Sequence, residues 1–127
     1  MFKKVYIIDD DEVTLYLTEL VLSLYAPNCI SIGIPDAKEA ISCLQQDIGN
    51  GAMPSHIFLD LNMPVMDGHQ FIDKVSRLLP SGGGHPIVYV LTSSISETDK
   101  TACLQHELVL GVIEKPLTFE KLEELNN

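Results

Sequence analysis

Short apolar runs alternate with amphipathic stretches along the whole chain. The runs lie at residues 5–8, 29–34, 57–59, 87–91 and, less regularly, within 108–113. Runs of this length predict strands, and a run that is apolar throughout is typical of a parallel strand buried on both faces. The second run instead alternates isoleucine with smaller residues, a pattern that predicts an edge strand.

Apolar residues at helical spacing separate these runs and predict five helices. We expect the fourth helix over about residues 96–106, with Ser96 as its N-cap, and the short last helix from near Thr118. The apolar faces of the first three are Val13, Leu17, Leu20, Val21 and Leu24; Ala37, Ala40, Ile41 and Leu44; and Phe71, Ile72, Val75, Leu78 and Leu79. Repeated strand–helix alternation predicts a doubly wound α/β fold, a parallel sheet with helices on both faces, in one domain over residues 1–127.

The composition excludes several classes of function. The 127 residues carry 8 Lys and Arg against 18 Asp and Glu, and the net charge of −10 argues against binding nucleic acid or an anionic membrane. Apolar runs fall well short of the roughly 18 residues of a membrane span, and the first residues lack the apolar segment of a signal peptide. The three scattered cysteines are typical of a reducing compartment, so we expect a cytoplasmic protein.

An acidic cluster follows the first predicted strand. The stretch VYIIDDDEV, residues 5–13, places Asp9, Asp10, Asp11 and Glu12 directly after four apolar residues. Two like charges about 5 Å apart cost roughly 3 kcal/mol at an effective dielectric near 20. Either these side chains spread into water, or a positive group lies among them.

The ends of three other predicted strands also carry polar or charged side chains. Asp60 follows the third strand, Thr92 ends the fourth and Lys115 follows the fifth. Ligands of such sheets bind outside the carboxyl ends of the strands, so these side chains are expected on one rim with Asp9 and Asp10. Clustered carboxylates suit Mg²⁺, and a carboxylate can accept a phosphoryl group whose oxygens are neutralised by metal, Lys and hydroxyl donors. Asp60 is the best candidate for the acceptor.

Four motifs together resemble the receiver domains of response regulators, the phosphoacceptor modules of bacterial two-component signalling. They are IIDDDE, IFLDLNMPVMDG, VLTSS and EKPL, and the resemblance extends over nearly the whole chain. It implies a flavodoxin-like five-stranded parallel sheet in the order 2-1-3-4-5 with five helices. It also implies a signalling domain, not an enzyme, although such a domain assists its own phosphorylation and dephosphorylation.

The resemblance assigns roles to the residues of the rim. Asp60 would take a phosphoryl group from a phosphohistidine on a sensor histidine kinase or a histidine phosphotransfer protein, and so switch contacts with an unknown downstream protein. Asp10 and Asp60 would ligate Mg²⁺ by their side chains, with the backbone carbonyl of Asn62 as a third ligand. Asp9 would act through a metal-bound water.

Thr92 and Lys115 would each contact a phosphoryl oxygen. Asn62 and Ser94 occupy the positions that tune the phosphoryl lifetime in the family, and their small size predicts a short lifetime. Val112 departs from the family pattern, which has Tyr or Phe three residues before the lysine. We expect the chain either to lack the aromatic rotamer step or to signal through the loop after Thr92 and the helix that follows.

Two alternatives remain open from the sequence. A receiver fold can serve as an interaction module that binds a partner without phosphorylation. The stretch IIDDDEVTL also fits the haloacid-dehalogenase-type phosphatases, in which Asp9 would be the nucleophile and Asp11 the acid/base. That family places a further acidic motif after the lysine, where this chain has only glutamates on an amphipathic helix.

Overall fold

The computed structural model describes residues 2–93 and 96–126. Five strands alternate with five helices along the chain, and each predicted element is present. The strands are β1 (Lys4–Ile8), β2 (Ile30–Ile34), β3 (His56–Leu59), β4 (Ile87–Thr92) and β5 (Val109–Glu114). The helices are α1 (Glu12–Tyr25), α2 (Ala37–Gly49), α3 (Gly68–Leu78), α4 (Glu97–Leu104) and α5 (Phe119–Leu125).

The strands form one parallel sheet in the order β2-β1-β3-β4-β5. This confirms the expected flavodoxin-like architecture and the placement of β2 at an edge. The register aligns Ile8 with Leu59 and Leu59 with Val90, so β1 and β3 end at the same height and β4 runs two residues further, to Thr92. The residues that follow β1 and β3, Asp9 and Asp60, therefore leave the sheet side by side.

Two apolar clusters fill the space between the sheet and the helices. One contains Leu44 of α2, Phe71 and Val75 of α3 and Cys103 of α4, and the other contains Leu22 of α1 and Leu122 of α5. Each cluster also takes side chains from alternate strand positions, as expected for strands that are buried on both faces. Helices α2, α3 and α4 thus cover one face, and α1 and α5 the other.

A polar side chain caps the N-terminus of every helix. Asp11, Asp36, Asp67, Ser96 and Thr118 each accept a hydrogen bond from a backbone N–H of the first turn. Such a bond satisfies a donor that the helix itself leaves unpaired. The expected cap of α4 is confirmed, because the Ser96 hydroxyl accepts from the N–H of Asp99 at 3.0 Å.

Helix α1 differs from the other helices in the direction of its apolar face. Of the predicted apolar face, Val13, Leu17, Leu20 and Leu24 point into solvent, and only Val21 packs, half-buried, against the core. The residues of α1 that are buried are Thr18 and Leu22. Within the described residues, the structure contains no helix long and apolar enough to cross a membrane.

Candidate functional site

Three carboxylates meet at the carboxyl end of the sheet. Asp9 follows β1 and is buried, Asp60 follows β3 and is 5% exposed, and Asp10 faces solvent. One oxygen from each of the three lies within 4.8 Å of the others. Like charges at such spacing repel, so the arrangement requires a compensating cation.

The backbone fixes the two buried carboxylates in the same way. The N–H of Asp11 donates to Asp9 Oδ1 at 2.9 Å, and the N–H of Asn62 donates to Asp60 Oδ1 at 3.3 Å. Both bonds span two residues, as in an Asx turn. The residue types alone do not indicate these two donors, although an aspartate directly after a strand is typical of such a turn.

Lys115 supplies the positive charge at the rim. Its Nζ atom lies 2.6 Å from Asp9 Oδ2 and 3.6 Å from Asp60 Oδ1. Burial lowers the pKa of Lys115, but the bond to Asp9 and the charge of Asp60 outweigh burial and raise it overall. The lysine therefore stays protonated between the two carboxylates.

The environment of Asp60 disfavours its ionised form. Burial and the charge of Asp9 raise the pKa of the Asp60 carboxyl, while Lys115 and the N–H of Asn62 act in the opposite direction. The net shift is upward, so further positive charge near Asp60 would relieve a remaining electrostatic cost.

Thr92 and Lys115 are joined through the backbone. The N–H of Lys115 donates to the carbonyl of Thr92 at 2.8 Å, and Thr92 is buried at the end of β4. The peptide bond between Lys115 and Pro116 is cis. The hydrogen bond between their backbones holds Thr92 and Lys115 next to each other at the ends of the neighbouring strands β4 and β5, as the sequence predicted.

Lys121 of α5 supports the loop that carries Lys115, a role the sequence did not indicate. Its ammonium donates to the carbonyls of Glu114 and Pro116 at 2.7 and 3.0 Å. Glu114 and Pro116 flank Lys115 in the chain, so Lys121 anchors the backbone on both sides of Lys115 to α5. A charged residue on an amphipathic helix gives no sign in the sequence of which backbone groups it will meet.

Gly68 allows the loop after Asp60 to pass close to α3. A Cβ atom at Gly68 would lie 2.8 Å from Leu61 Cδ2, 3.0 Å from Leu61 Cα and 3.1 Å from the Asp60 carbonyl oxygen. Asp67 begins α3 with a capping box, in which its side chain and that of Gln70 each accept a backbone N–H. The Asp67-Gly68 pair thus shapes the loop beside Asp60 and starts α3.

Asp11 caps the N-terminus of α1 and does not belong to the cluster of Asp9, Asp10 and Asp60. Its carboxylate accepts bonds from the hydroxyl of Thr14 at 2.7 Å and from the N–H of Val13 at 3.3 Å. The bond from Thr14 is the main cause of a lowered pKa of Asp11. Both oxygens of this carboxylate are engaged by the first turn of α1, which leaves them poorly placed for the acid/base role that the phosphatase alternative requires.

The remaining predicted positions are only partly described. Asn62 is exposed beside the cluster, whereas Ser94 lies outside the described residues. Val112 pairs with Val90 in the sheet and packs, partly buried, against the core under α2, α3 and α4. It occupies the end of the sheet near the rim without touching the carboxylates in any described contact.

Comparisons with known proteins agree with this geometry. The sequence model of the response regulator receiver domain matches residues 5–127. A probable methanogenesis regulatory protein, FilR2, of Methanothrix harundinacea is 34% identical over 89 residues, which are 69% of this chain and 56% of that protein. An uncharacterized 14.6 kDa protein of Leptolyngbya boryana is 34% identical over 101 residues, 80% of this chain and 70% of that protein.

Solved structures show the same architecture. The crystal structure of a two-component response regulator from Cytophaga hutchinsonii has a TM-score of 0.90 and 27% identity, with 99% of this chain and 95% of that chain covered. A response regulator receiver protein from Dyadobacter fermentans has a TM-score of 0.83 at 22% identity, over 97% of this chain and 94% of that chain. The latter likeness concerns the fold alone.

Proposed function

The chain belongs to the response regulator receiver domain family, and from that premise we propose that Asp60 accepts a phosphoryl group from a phosphohistidine. The donor would be a sensor histidine kinase or a histidine phosphotransfer protein. The observation that carries the proposal is the position of Asp60: a buried carboxylate, 5% exposed, with a lysine ammonium 3.6 Å away and two further carboxylates beside it.

The donor set of the rim fits Mg²⁺. The ion prefers one or two carboxylates together with water and phosphate oxygens, and a carboxylate oxygen from each of Asp9, Asp10 and Asp60 lies within 4.8 Å of the others. Asp10 and Asp60 would hold the ion, with the carbonyl of Asn62 as a third ligand and Asp9 acting through water. When bound, the ion neutralises charge on the phosphoryl oxygens.

The transfer itself needs little covalent chemistry from the protein. A carboxylate oxygen of Asp60 attacks phosphorus, the phosphorus–nitrogen bond of the phosphohistidine breaks, and the imidazole leaves with the electron pair of that bond. The chain's contribution is to hold the nucleophile and the compensating charges in place before the donor arrives.

Lys115 and Thr92 would receive the phosphoryl oxygens. The Lys115 ammonium lies between Asp9 and Asp60, so a small displacement from Asp9 would bring it to an oxygen on phosphorylated Asp60. The buried Thr92 ends the strand next to β3 and would donate its hydroxyl to a second oxygen. Movement of either residue would be passed to the other through their backbone hydrogen bond.

The output would be a change in protein–protein contacts. Because Val112 is too small for an aromatic rotamer step, the loop after Thr92 and helix α4 would carry the signal to an unknown downstream protein. Asn62 is small and exposed beside the acceptor, which favours access of water and a short phosphoryl lifetime. We expect Asn62→Arg to lengthen that lifetime by shielding the acyl phosphate.

Mapping the phosphoryl group tests the proposal. The protein would be incubated with acetyl phosphate and Mg²⁺, reduced with borohydride to convert an aspartyl phosphate to homoserine, and digested for peptide mass analysis. We expect the modification at Asp60 in the wild type and in Asp11→Asn. Modification at Asp9, or none under conditions that label a known receiver domain, would contradict the proposal, and the second result would favour the interaction module.

A further inference from the structure

A basic groove runs along the outer surface between α2 and α3. Two cavities, of about 330 and 290 Å³, share Lys74 and Arg77 of α3 in their walls and together form this groove. The first cavity also reaches Lys38 in the first turn of α2, and the second reaches Gln45 further along the same helix. The helix rises by about 10 Å between these two positions, which sets the length of the groove.

The charge of the groove is opposite in sign to that of the whole chain. Lys38, Lys74 and Arg77 are exposed, and they are three of the eight Lys and Arg residues in a chain with a net charge of −10. Within the described residues, none of the three forms an ion pair. One carboxylate, Asp73, also lines the groove, and it contacts the ring of His106 at 3.8 Å. The groove therefore offers three unpaired cations to an anionic ligand.

Apolar side chains line the groove beside these cations. Val65 and Met66 of the loop after Asp60 line the first cavity, and the half-buried Ile41 and Leu78 line the second. Val65 is 79% exposed, and its backbone is left-handed with φ at 71°, which is rare for a β-branched residue. A ligand that combines negative charge with an aliphatic group matches this surface.

The separation of the cations favours a peptide over a small anion. A single exposed ion pair contributes little binding energy, because water and salt screen it. An extended peptide advances about 3.3 Å per residue, so three or four residues span a groove about 10 Å long and bring several carboxylates to its cations. Arg77 adds selectivity, because a guanidinium can donate two parallel hydrogen bonds to one carboxylate.

The charge of the rest of the molecule limits the length of the ligand. A nucleic acid or an anionic membrane would extend beyond the groove, where the excess of carboxylates that gives the chain its net charge of −10 would repel it. A short acidic segment with uncharged flanks meets only the groove and avoids this repulsion.

We propose that the basic groove binds a short acidic segment of a partner protein, independently of phosphorylation. The segment carries two or more carboxylates beside an aliphatic residue. Its carboxylates pair with Lys38, Lys74 and Arg77, and its aliphatic side chain packs against Val65. Because the cations are exposed and the apolar area is small, the association is weak and sensitive to salt.

Fluorescence anisotropy without phosphodonor tests the proposal. The probe is the peptide Gly-Ser-Glu-Glu-Leu-Glu-Ser-Gly, with blocked ends and an uncharged dye. We expect a Kd between about 10 and about 500 µM at low salt, as for a weak contact of a few ion pairs, and a Kd at least about 5-fold higher at about 0.5 M salt. The same peptide with glutamine in place of each glutamate should not bind in this range.

Two double variants with the same change in net charge separate the groove from general electrostatics. Lys74→Gln with Arg77→Gln removes two cations of the groove and should raise the Kd at least about 5-fold. Lys3→Gln with Lys100→Gln is the matched control, because both lysines are exposed and neither lines the groove. This control should change the Kd less than about 2-fold. Far-UV circular dichroism checks that each variant folds.

Four results would overturn the proposal. The wild type could leave the anisotropy of the probe unchanged up to about 1 mM, well above the Kd of a weak contact. The control variant could weaken binding as much as the groove variant does. The glutamine peptide could bind as well as the probe. Tripolyphosphate or phosphatidylserine vesicles could displace the probe better than sodium chloride of equal ionic strength, which would assign the groove to a phosphate-bearing ligand. Because no phosphodonor is present, none of these results bears on the role of Asp60.

Discussion

The Lys115 ammonium lies 2.6 Å from Asp9 Oδ2 and forms the closest ion pair of the acidic rim. The contact to Asp60 is longer, at 3.6 Å. The lysine thus compensates the charge of Asp9 more fully than that of the proposed acceptor. Ionised Asp60 therefore destabilises the folded protein, because burial and the charge of Asp9 outweigh the attraction of Lys115, as its raised pKa indicates.

Because the ionised Asp60 carboxylate is destabilising, we expect Asp60→Asn to stabilise the metal-free protein at neutral pH. The substitution removes a buried negative charge that repels Asp9 and keeps the volume of the side chain. We expect a higher unfolding temperature than that of the wild type in buffer containing a chelator. Added Mg²⁺ should narrow the difference, because the ion stabilises the wild type more than the variant.

Asp73→Asn is the matched control for this substitution, since Asp73 lies on α3 with its side chain 59% exposed. It should change the unfolding temperature little with or without Mg²⁺. A wild type that is more stable than Asp60→Asn in chelator would contradict the electrostatic account of the rim.

A second prediction concerns the buried hydroxyl of Tyr6, which donates a hydrogen bond to Asp47. Lys4 also contacts this carboxylate, at 2.8 Å. Burial alone would raise the pKa of Asp47, but the bonds from Lys4 and Tyr6 lower it overall. We expect Tyr6→Phe to lower the free energy of unfolding at pH 7 by about 1–2 kcal/mol.

The pH dependence of this loss has a defined sign. Because the pKa of Asp47 is lowered in the folded protein, its stabilising contribution is present above the ordinary value of 3.8 and is lost as the pH falls through the folded value. The difference between the wild type and Tyr6→Phe, measured by urea denaturation, should therefore shrink below pH 4. Tyr89→Phe serves as the control, since the Tyr89 hydroxyl makes no hydrogen bond within the described part of the chain. A difference that stays constant down to pH 3 would contradict the assignment.

A third prediction follows from the close approach of Gly68 to the loop after Asp60. The Cβ atom of Gly68→Ala would meet the backbone of Leu61 and Asp60, which cannot move without shifting the acceptor. We expect a loss of about 1–3 kcal/mol in the free energy of unfolding, typical of overpacking. Gly49→Ala, with no neighbouring atom within 4 Å, should be neutral or slightly stabilising. Equal stability of the two variants would show that the loop is not constrained in this way.

A fourth prediction concerns signalling without an aromatic residue at position 112. We expect phosphorylation to shift the backbone amide resonances of the segment after Thr92 and of α4. Val112→Ala should leave this pattern intact, since Val112 packs in the sheet beside Val90 and makes no described contact with the rim. Loss of the α4 shifts in Val112→Ala, with Asp60 still phosphorylated, would place position 112 in the switch.

The sequence predicts those features of the fold that depend on residues close together in the chain. Apolar runs and helical spacing predict the elements, and small polar residues such as Ser96 and Thr118 predict where helices begin. The strand order itself came from the family resemblance. Because the carboxyl ends of parallel strands share one edge, Asp60 and Lys115 could also be placed together before the structure was known.

Other features depend on long-range packing and could not be predicted. Helical spacing identifies the apolar face of α1 but not its direction, because burial depends on the neighbouring elements. The helix packs mainly through Leu15, Thr18 and Leu22, which lie off the predicted face. Likewise, the contact of Lys121 with the backbone on both sides of Lys115 arises only when α5 docks. A local sequence pattern does not indicate which distant residues will come into contact.

The central claim is that Asp60 accepts a phosphoryl group with the help of Mg²⁺, and intact mass measures it most directly. The wild type, Asp60→Asn and Asp73→Asn would each be incubated with acetyl phosphate, with Mg²⁺ and with a chelator. The account predicts one phosphoryl adduct in the wild type and in Asp73→Asn, dependent on Mg²⁺, and none in Asp60→Asn. An equal adduct in Asp60→Asn, or no adduct in any of the three proteins, would contradict it.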